Sequence, residues 1–180
     1  MKWIVLALVG SALCTVGDHL HATCGVLEYR HVFFWDQAWW VPPLFMGAAL
    51  AAVLGCKPFL DWGKRTGEVR RPDARQLLAD GLGFFAAYAY TSFAAHDHPN
   101  VTLAVLVIAF IVRVLGERRP TWLVASCVAL AAGGVLTEFA VSSTGGFHYL
   151  HPDFLATPRW LAGIYLHAGL IAGELAILML

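Results

Sequence analysis

The chain has 180 residues, of which 59% are hydrophobic and 13% charged, with 12 Lys/Arg balanced by 12 Asp/Glu. Composition this apolar excludes an ordinary soluble domain, and a net charge of zero offers nothing to attract nucleic acid or an acidic partner. A bilayer crossing takes about 20 mainly apolar residues, so six crossings would use about two thirds of the length. That leaves short loops and a single all-α membrane domain over residues 1–180.

Taken in order, the first apolar run extends from Trp3 past Gly17 to about Asp18-His19. It reads as an uncleaved span and not a secretory leader, because five more apolar runs follow. The string AWWVPP opens a second span, Val41 to about Cys56, with prolines at a helix start, where the missing N–H costs no bond. Lys57-Pro58 closes it, and residues 61–76 read as a basic loop at the headgroups. The third span is about Leu77–Ala95, HDHPN a tight turn, and the fourth span Val101–Leu115. GERRP is the next turn, the fifth span is Trp122–Val141, and a longer loop leads to the sixth, Trp160–Leu180.

Cations set the orientation. Lys2, Lys57, Lys64, Arg65, Arg70, Arg71, Arg75, Arg113, Arg118 and Arg119 fall on one side of this alternation, and only Arg30 and Arg159 on the other. Cytoplasmic loops collect positive charge, so six spans with both termini in the cytoplasm are expected. All seven tryptophans fall near predicted span ends, Trp3, Trp62 and Trp122 inside and Trp35, Trp39, Trp40 and Trp160 outside, where an indole prefers the interface. No internal repeat is evident between the halves. Gly47/Ala51 and Gly169/Gly173 have the small-xxx-small spacing that lets helices approach closely, and Gly133-Gly134 interrupts the fifth span.

Ionisable residues within spans are candidates for function, because charge is costly in hydrocarbon. Asp80 and Arg113 share a depth, which allows an ion pair, although Arg113 could equally snorkel to the headgroups. Glu138, Glu174 and His167 are also intramembrane, the two acids either protonated or paired. His19/His21, His96/His98 and His148/His151, beside Asp18, Asp97 and Asp153, cluster in separate outer loops without a zinc-binding HExxH spacing. Cys14, Cys24, Cys56 and Cys127 read as inert buried thiols. No metal or cofactor is expected.

Two strings are more specific than hydropathy. Ala38-Trp39-Trp40-Val41-Pro42-Pro43 opens the second span, and Tyr149, Pro152-Asp153-Phe154-Leu155 and Trp160-Leu161 lead into the sixth. With Pro58 and Asp61, NVTLA, Glu117-Arg118 and Thr137-Glu138, they resemble the Insig family of six-span, sterol-sensing membrane regulators, over almost the whole chain. The resemblance implies a non-catalytic bundle with an intramembrane lipid cavity, and in animals an oxysterol-dependent partner, Scap, on helices three and four. It assigns partner binding to Glu117 and Arg118 and sterol sensing to the position of Asn100. This chain departs from the family in lacking a long polar N-terminal extension, in Arg113, and in carrying Glu138 and Glu174 where amides are expected. Nine Arg to three Lys and abundant Ala suggest a bacterial cell membrane, where a Scap-like partner is not expected; a eukaryotic chain would sit in the endoplasmic reticulum.

The expected ligand is a neutral membrane lipid, sterol or diacylglycerol-like, lined by Phe45, Phe84, Tyr88, Asn100, Thr137, Glu138, Tyr165 and Gly169. The outer loops offer no obvious lid over it. A homo-oligomer through helices three and four is expected, since that apolar face lacks Scap. Two rivals stand beside this reading: a zinc-dependent lipid hydrolase using the outer histidines, and a proton-coupled transporter using Asp80, Glu138 and Glu174.

Overall fold

The structure, a computed structural model, describes residues 1–94 and 98–180. Seven helical segments, α1 (Lys2–Thr23), α2 (Val41–Gly55), α3 (Lys57–Thr66), α4 (Ala74–Ala94), α5 (Pro99–Gly116), α6 (Thr121–Ser143) and α7 (Leu161–Met179), make six legs of a bundle. Segments α2 and α3 form one leg of 26 residues. Five legs are long and apolar enough to cross a membrane. The remaining leg, α4, has 21 residues, about 31 Å of helix, and packs on α7 and α1. The chain is a multi-pass integral membrane protein.

Prolines start these helices: Pro42 and Pro43 in the first turn of α2, Pro58 in α3, Pro99 in α5, and Pro120 at the N-cap of α6. Segment α3 extends the second leg ten residues beyond Cys56, so residues 61–66 are helical and the basic loop shrinks to 67–73. Pro58 does not close the leg as expected from the sequence, because its ring suits a helix's first turn as well as the position after its end. Helix α6 runs unbroken through Gly133-Gly134.

Helix α7 is the hub. Its apolar stretch is 56% buried, against 28% or less in the other four spanning legs, and it touches α2, α3, α4, α5 and α6. Gly169 and Gly173 let it lie directly on α6, where an added Cβ would meet the Cys127 backbone at 2.6 Å or the Leu123 side chain. Gly47 has nothing within 4 Å of such a Cβ, and Gly10 against Ala49, at 2.6 Å, makes the close α1–α2 approach instead. Trp122 and Trp160 are 1% and 2% exposed. They fill the core at the leg ends and are not interfacial anchors.

At the end away from the termini, two short strands close the bundle. β1 (Leu27–Tyr29) pairs antiparallel with β2 (Phe147–Tyr149), with Leu27 opposite Tyr149, Glu28 opposite His148 and Tyr29 opposite Phe147. Val26, Leu27, Tyr29, Phe147 and Tyr149 are buried with Phe45, Tyr88 and Trp160 in one cluster. The outer loops therefore do form a cap, contrary to the sequence expectation, because alternation places one face of each three-residue strand on the core.

The strands also disclose a repeat that sequence inspection misses. The unit α1–β1–α2 recurs as α6–β2–α7, displaced by 120 positions (145 − 25). Gly25 and Gly145 both take left-handed φ, 73° and 76°, at the helix exits, where glycine pays no Cβ penalty. Two-residue turns follow at Trp35-Asp36 and Leu155-Ala156, all four residues with φ between 47° and 57°, each turn closed by a bridge, Phe34 to Gln37 and Phe154 to Thr157. Non-glycine residues are rare at such φ, so the same strain at matching positions marks common architecture. Between residues 24–41 and 144–161 only Gly25, Tyr29, His31, Phe34 and Trp40 are matched by an identical residue, which is why the sequence hides it.

Candidate functional site

Two polar clusters lie inside the bundle, one at each end. The first sits under the β1–β2 cap. Asp18 on α1 accepts hydrogen bonds from the Tyr29 hydroxyl at 2.7 Å and from Gln37 Nε2 at 2.6 Å. Glu138 on α6, the repeat equivalent of Asp18, accepts from the Tyr149 hydroxyl at 3.3 Å, and Tyr149 is the equivalent of Tyr29. Each unit thus returns a strand tyrosine to an acid on its preceding helix. Burial, and secondarily the nearby Asp18 or Glu138, raises both tyrosine pKa values above the ordinary phenol range. Both phenols remain hydrogen-bond donors.

Tyr165 on α7 adds a second donor to Glu138 at 2.9 Å. Its ring crosses α6 over Gly134, where an added Cβ would lie 2.5 Å away. Gly17 on α1 likewise makes room for the Tyr88 ring, 2.9 Å from the Cβ it lacks. Tyr88 stacks edge-on with Phe84 at 5.3 Å and tilts against His21 at 4.9 Å. His21 Nε2 lies 2.8 Å from the Thr91 hydroxyl. Phe45, Phe84, Tyr88 and Tyr165 all belong to or pack on the same apolar cluster. The result is an apolar wall carrying a half-buried Glu138 carboxyl.

The other expected lining residues lie apart. Asn100 is exposed and accepts from Arg159 Nη1 at 2.9 Å. Thr137 is exposed, its hydroxyl donating to the Gly133 carbonyl at 2.8 Å. Gly169 belongs to the α6–α7 contact. Nothing in the sequence marks Asp18 and Tyr29 as partners: Asp18 stands at the polar end of a span beside the outer histidines, and Tyr29 lies in the connection that follows.

The second cluster is ionic and lies toward the termini. Arg113 pairs with Asp80, reaching across α4 where Gly83 leaves room, and its Nη1 donates to His167 Nδ1 at 2.9 Å. With Nδ1 accepting, His167 carries its proton on Nε2, which faces the Leu106 carbonyl at 3.1 Å. Arg119 bridges Asp80 at 2.9 Å and also pairs with Glu174 and Glu117. Gln76 donates to Glu174 at 2.6 Å. The expected pair is therefore part of a lattice joining α4, α5, α7 and the α5–α6 turn. Arg119, 1% exposed at its side chain, is its centre, whereas the sequence showed it as one more loop cation. Arg118 beside it is exposed, with φ 50°.

Among the described residues no three His, Cys, Asp or Glu side chains converge as a metal site; His96 and Asp97 lie outside the described residues. His19 turns its Nδ1 to the Trp35 carbonyl at 2.9 Å, and His148 lies 3.7 Å from Glu28 across the strand pair.

No family model and no curated protein sequence matches the chain. Two solved structures do. A crystal structure of the mycobacterial Insig homologue MvINS from Mycobacterium vanbaalenii superposes with a TM-score of 0.81 at 23% identity, covering 97% of this chain and 92% of that one. A cross-linked MvINS trimer superposes at 0.80 with 24% identity, covering 99% and 95%. The bundle, with its six legs and nearly full-length correspondence, has the fold of a bacterial Insig homologue.

Proposed function

We propose that the chain is a bacterial Insig family member, a non-catalytic protein of the cell membrane that holds a neutral lipid against the apolar wall beneath the β1–β2 cap. The observation that carries this reading is the Glu138–Tyr165–Tyr149 group set in the apolar wall of Phe45, Phe84 and Tyr88. A hydroxyl donor from a sterol or diacylglycerol-like ligand suits a carboxyl in such surroundings, because each oxygen keeps acceptor capacity beyond its one tyrosine bond. A phosphate does not suit it: no ion pair to Glu138 is present among the described residues, and an ionised Glu138 would repel it.

The test is mass spectrometry of lipid co-purifying with the protein, joined to thermal unfolding with added diacylglycerol or sterol. A neutral hydroxylated lipid should be recovered and should raise the melting temperature, as a ligand of the folded state must. Glu138→Gln, the amide expected from the family resemblance, should keep that response, and Glu138→Leu or Phe45→Trp should reduce it. Recovery of phospholipid alone, with neither variant altering lipid-dependent stability, would sink the assignment.

A second reading concerns assembly. Val105, Ile108, Ile111, Val112 and Leu115 on α5, with Leu78 and Leu82 on α4, are exposed, and MvINS has been captured as a cross-linked trimer. We infer a homo-oligomer that uses this α4–α5 surface. Glu117 and Arg118 border it at the end of α5.

A further inference from the structure

The acid pocket of the first repeat contains more oxygen than its donors satisfy. Asp18 is 5% exposed, and both its donors, Tyr29 and Gln37, bind the same carboxylate oxygen, Oδ2. Gln37 is fully buried, and its Oε1 has no partner. Thr15, one turn before Asp18 and 6% exposed, has a hydroxyl without a partner. Reversing the Gln37 amide offers no remedy. Its Nε2 also donates to the Thr15 carbonyl at 2.9 Å, so a reversed amide would set oxygen against two acceptors.

Charge is equally unbalanced. No Lys or Arg pairs with Asp18 among the described residues, and an uncompensated carboxylate inside a membrane bundle is costly. A proton on the second carboxylate oxygen would cancel the charge, but it serves at most one of the two orphaned oxygens. A small hard cation answers both demands, because it takes carboxylate, amide carbonyl and hydroxyl oxygens together.

We propose that the pocket binds sodium through the Asp18 carboxylate, Gln37 Oε1 and Thr15 Oγ1. One carboxylate with two neutral oxygens makes a monovalent site and not a zinc site, which calls for nitrogen or sulfur ligands. The second repeat lacks it. Val135 stands where Thr15 does and Thr157 where Gln37 does, and the Thr157 hydroxyl is already spent on the Phe154 carbonyl at 2.8 Å. Glu138 is half-buried and shared by two tyrosines. The duplicated acid has therefore diverged into an ion site in one unit and a carboxyl shared by two tyrosines in the other. Bound sodium would tie α1 to the Trp35-Asp36 turn and leave Glu138 to its own ligand.

Thermal unfolding of the full chain in detergent tests this, with sodium chloride exchanged for N-methyl-D-glucamine chloride at constant ionic strength. The midpoint should rise by about 3–5 °C for each tenfold increase in sodium above the dissociation constant. Asp18→Asn should abolish the dependence. Should that variant fail to fold, Thr15→Val decides, because its hydroxyl makes no bond within the protein; it should shift the response to higher sodium. A midpoint indifferent to the choice of salt, or a Thr15→Val response identical to that of the unsubstituted chain, overturns the proposal. Both arms are independent of added lipid, so failure here leaves the lipid reading standing.

Discussion

At the residue scale, adjacent glycines in α6 make opposite predictions. An alanine at Gly134 would drive its Cβ into the Tyr165 ring, while one at Gly133 meets nothing within 4 Å. Gly134→Ala should destabilise the protein by about 1–3 kcal/mol, the usual cost of overpacking. Gly133→Ala should be neutral or slightly stabilising, since alanine is the better helix former. Thermal unfolding of the two variants checks both, and equal losses would remove Tyr165 from this position. The sequence exposed these glycines but not their difference, which depends on which α7 side chain lies opposite. Asp80, Arg113, Glu138 and Glu174 were legible as candidates because each interrupts an apolar run. Asp18 stands out in the sequence only beside the outer histidines, and its pairing with Tyr29 not at all, because their meeting depends on the chain folding back under the cap.

Elements are joined by the two polar clusters. Arg119 holds Asp80, Glu117 and Glu174 together, so Arg119→Met should cost roughly 3–5 kcal/mol, the penalty for leaving buried charges unpaired. Asp80→Asn in the same chain should recover part of it. A double variant that loses the sum of the single losses would mean the lattice is not coupled. The strand pair gives a second test. Glu28 and His148 are directly opposite, at a separation within the reach of a disulfide, so cysteines at both positions should cross-link under mild oxidation. Cysteines at Arg30 and His148 should not, being out of register. Helix existence and order were readable from apolar runs and prolines. The strands were not, because three residues each are too few for alternation to show above the noise of a loop.

For the whole molecule, the cation distribution remains the argument for which face is cytoplasmic. Both termini and the connections 67–73 and 117–120 share one end, with Lys2 Nζ donating to the Met179 carbonyl at 3.0 Å. The expectation is that Arg71→Cys is labelled by an impermeant thiol reagent only from the cytoplasm, and His148→Cys only from outside. Labelling of both from one side would falsify the six-crossing topology. Assembly is checked by crosslinking in native membranes; monomer alone would count against the α4–α5 interface. Hydropathy sufficed for the architecture because the bilayer constrains length and polarity together. It carries no information about which legs touch, and so it concealed that α7 is the hub.

The parallel repeat imposes a rule of parity on everything placed between its two copies. β1 and β2 pair because both units turn back at the same end of the bundle. That requires the second unit to begin on the side where the first finished, and so an even number of crossings must separate them. The α4–α5 hairpin supplies two. A homologue lacking that hairpin would still close its cap, whereas one lacking α4 or α5 alone would invert the second unit and carry its strand to the opposite face of the membrane. Gain or loss of legs between the two units can therefore proceed only in pairs.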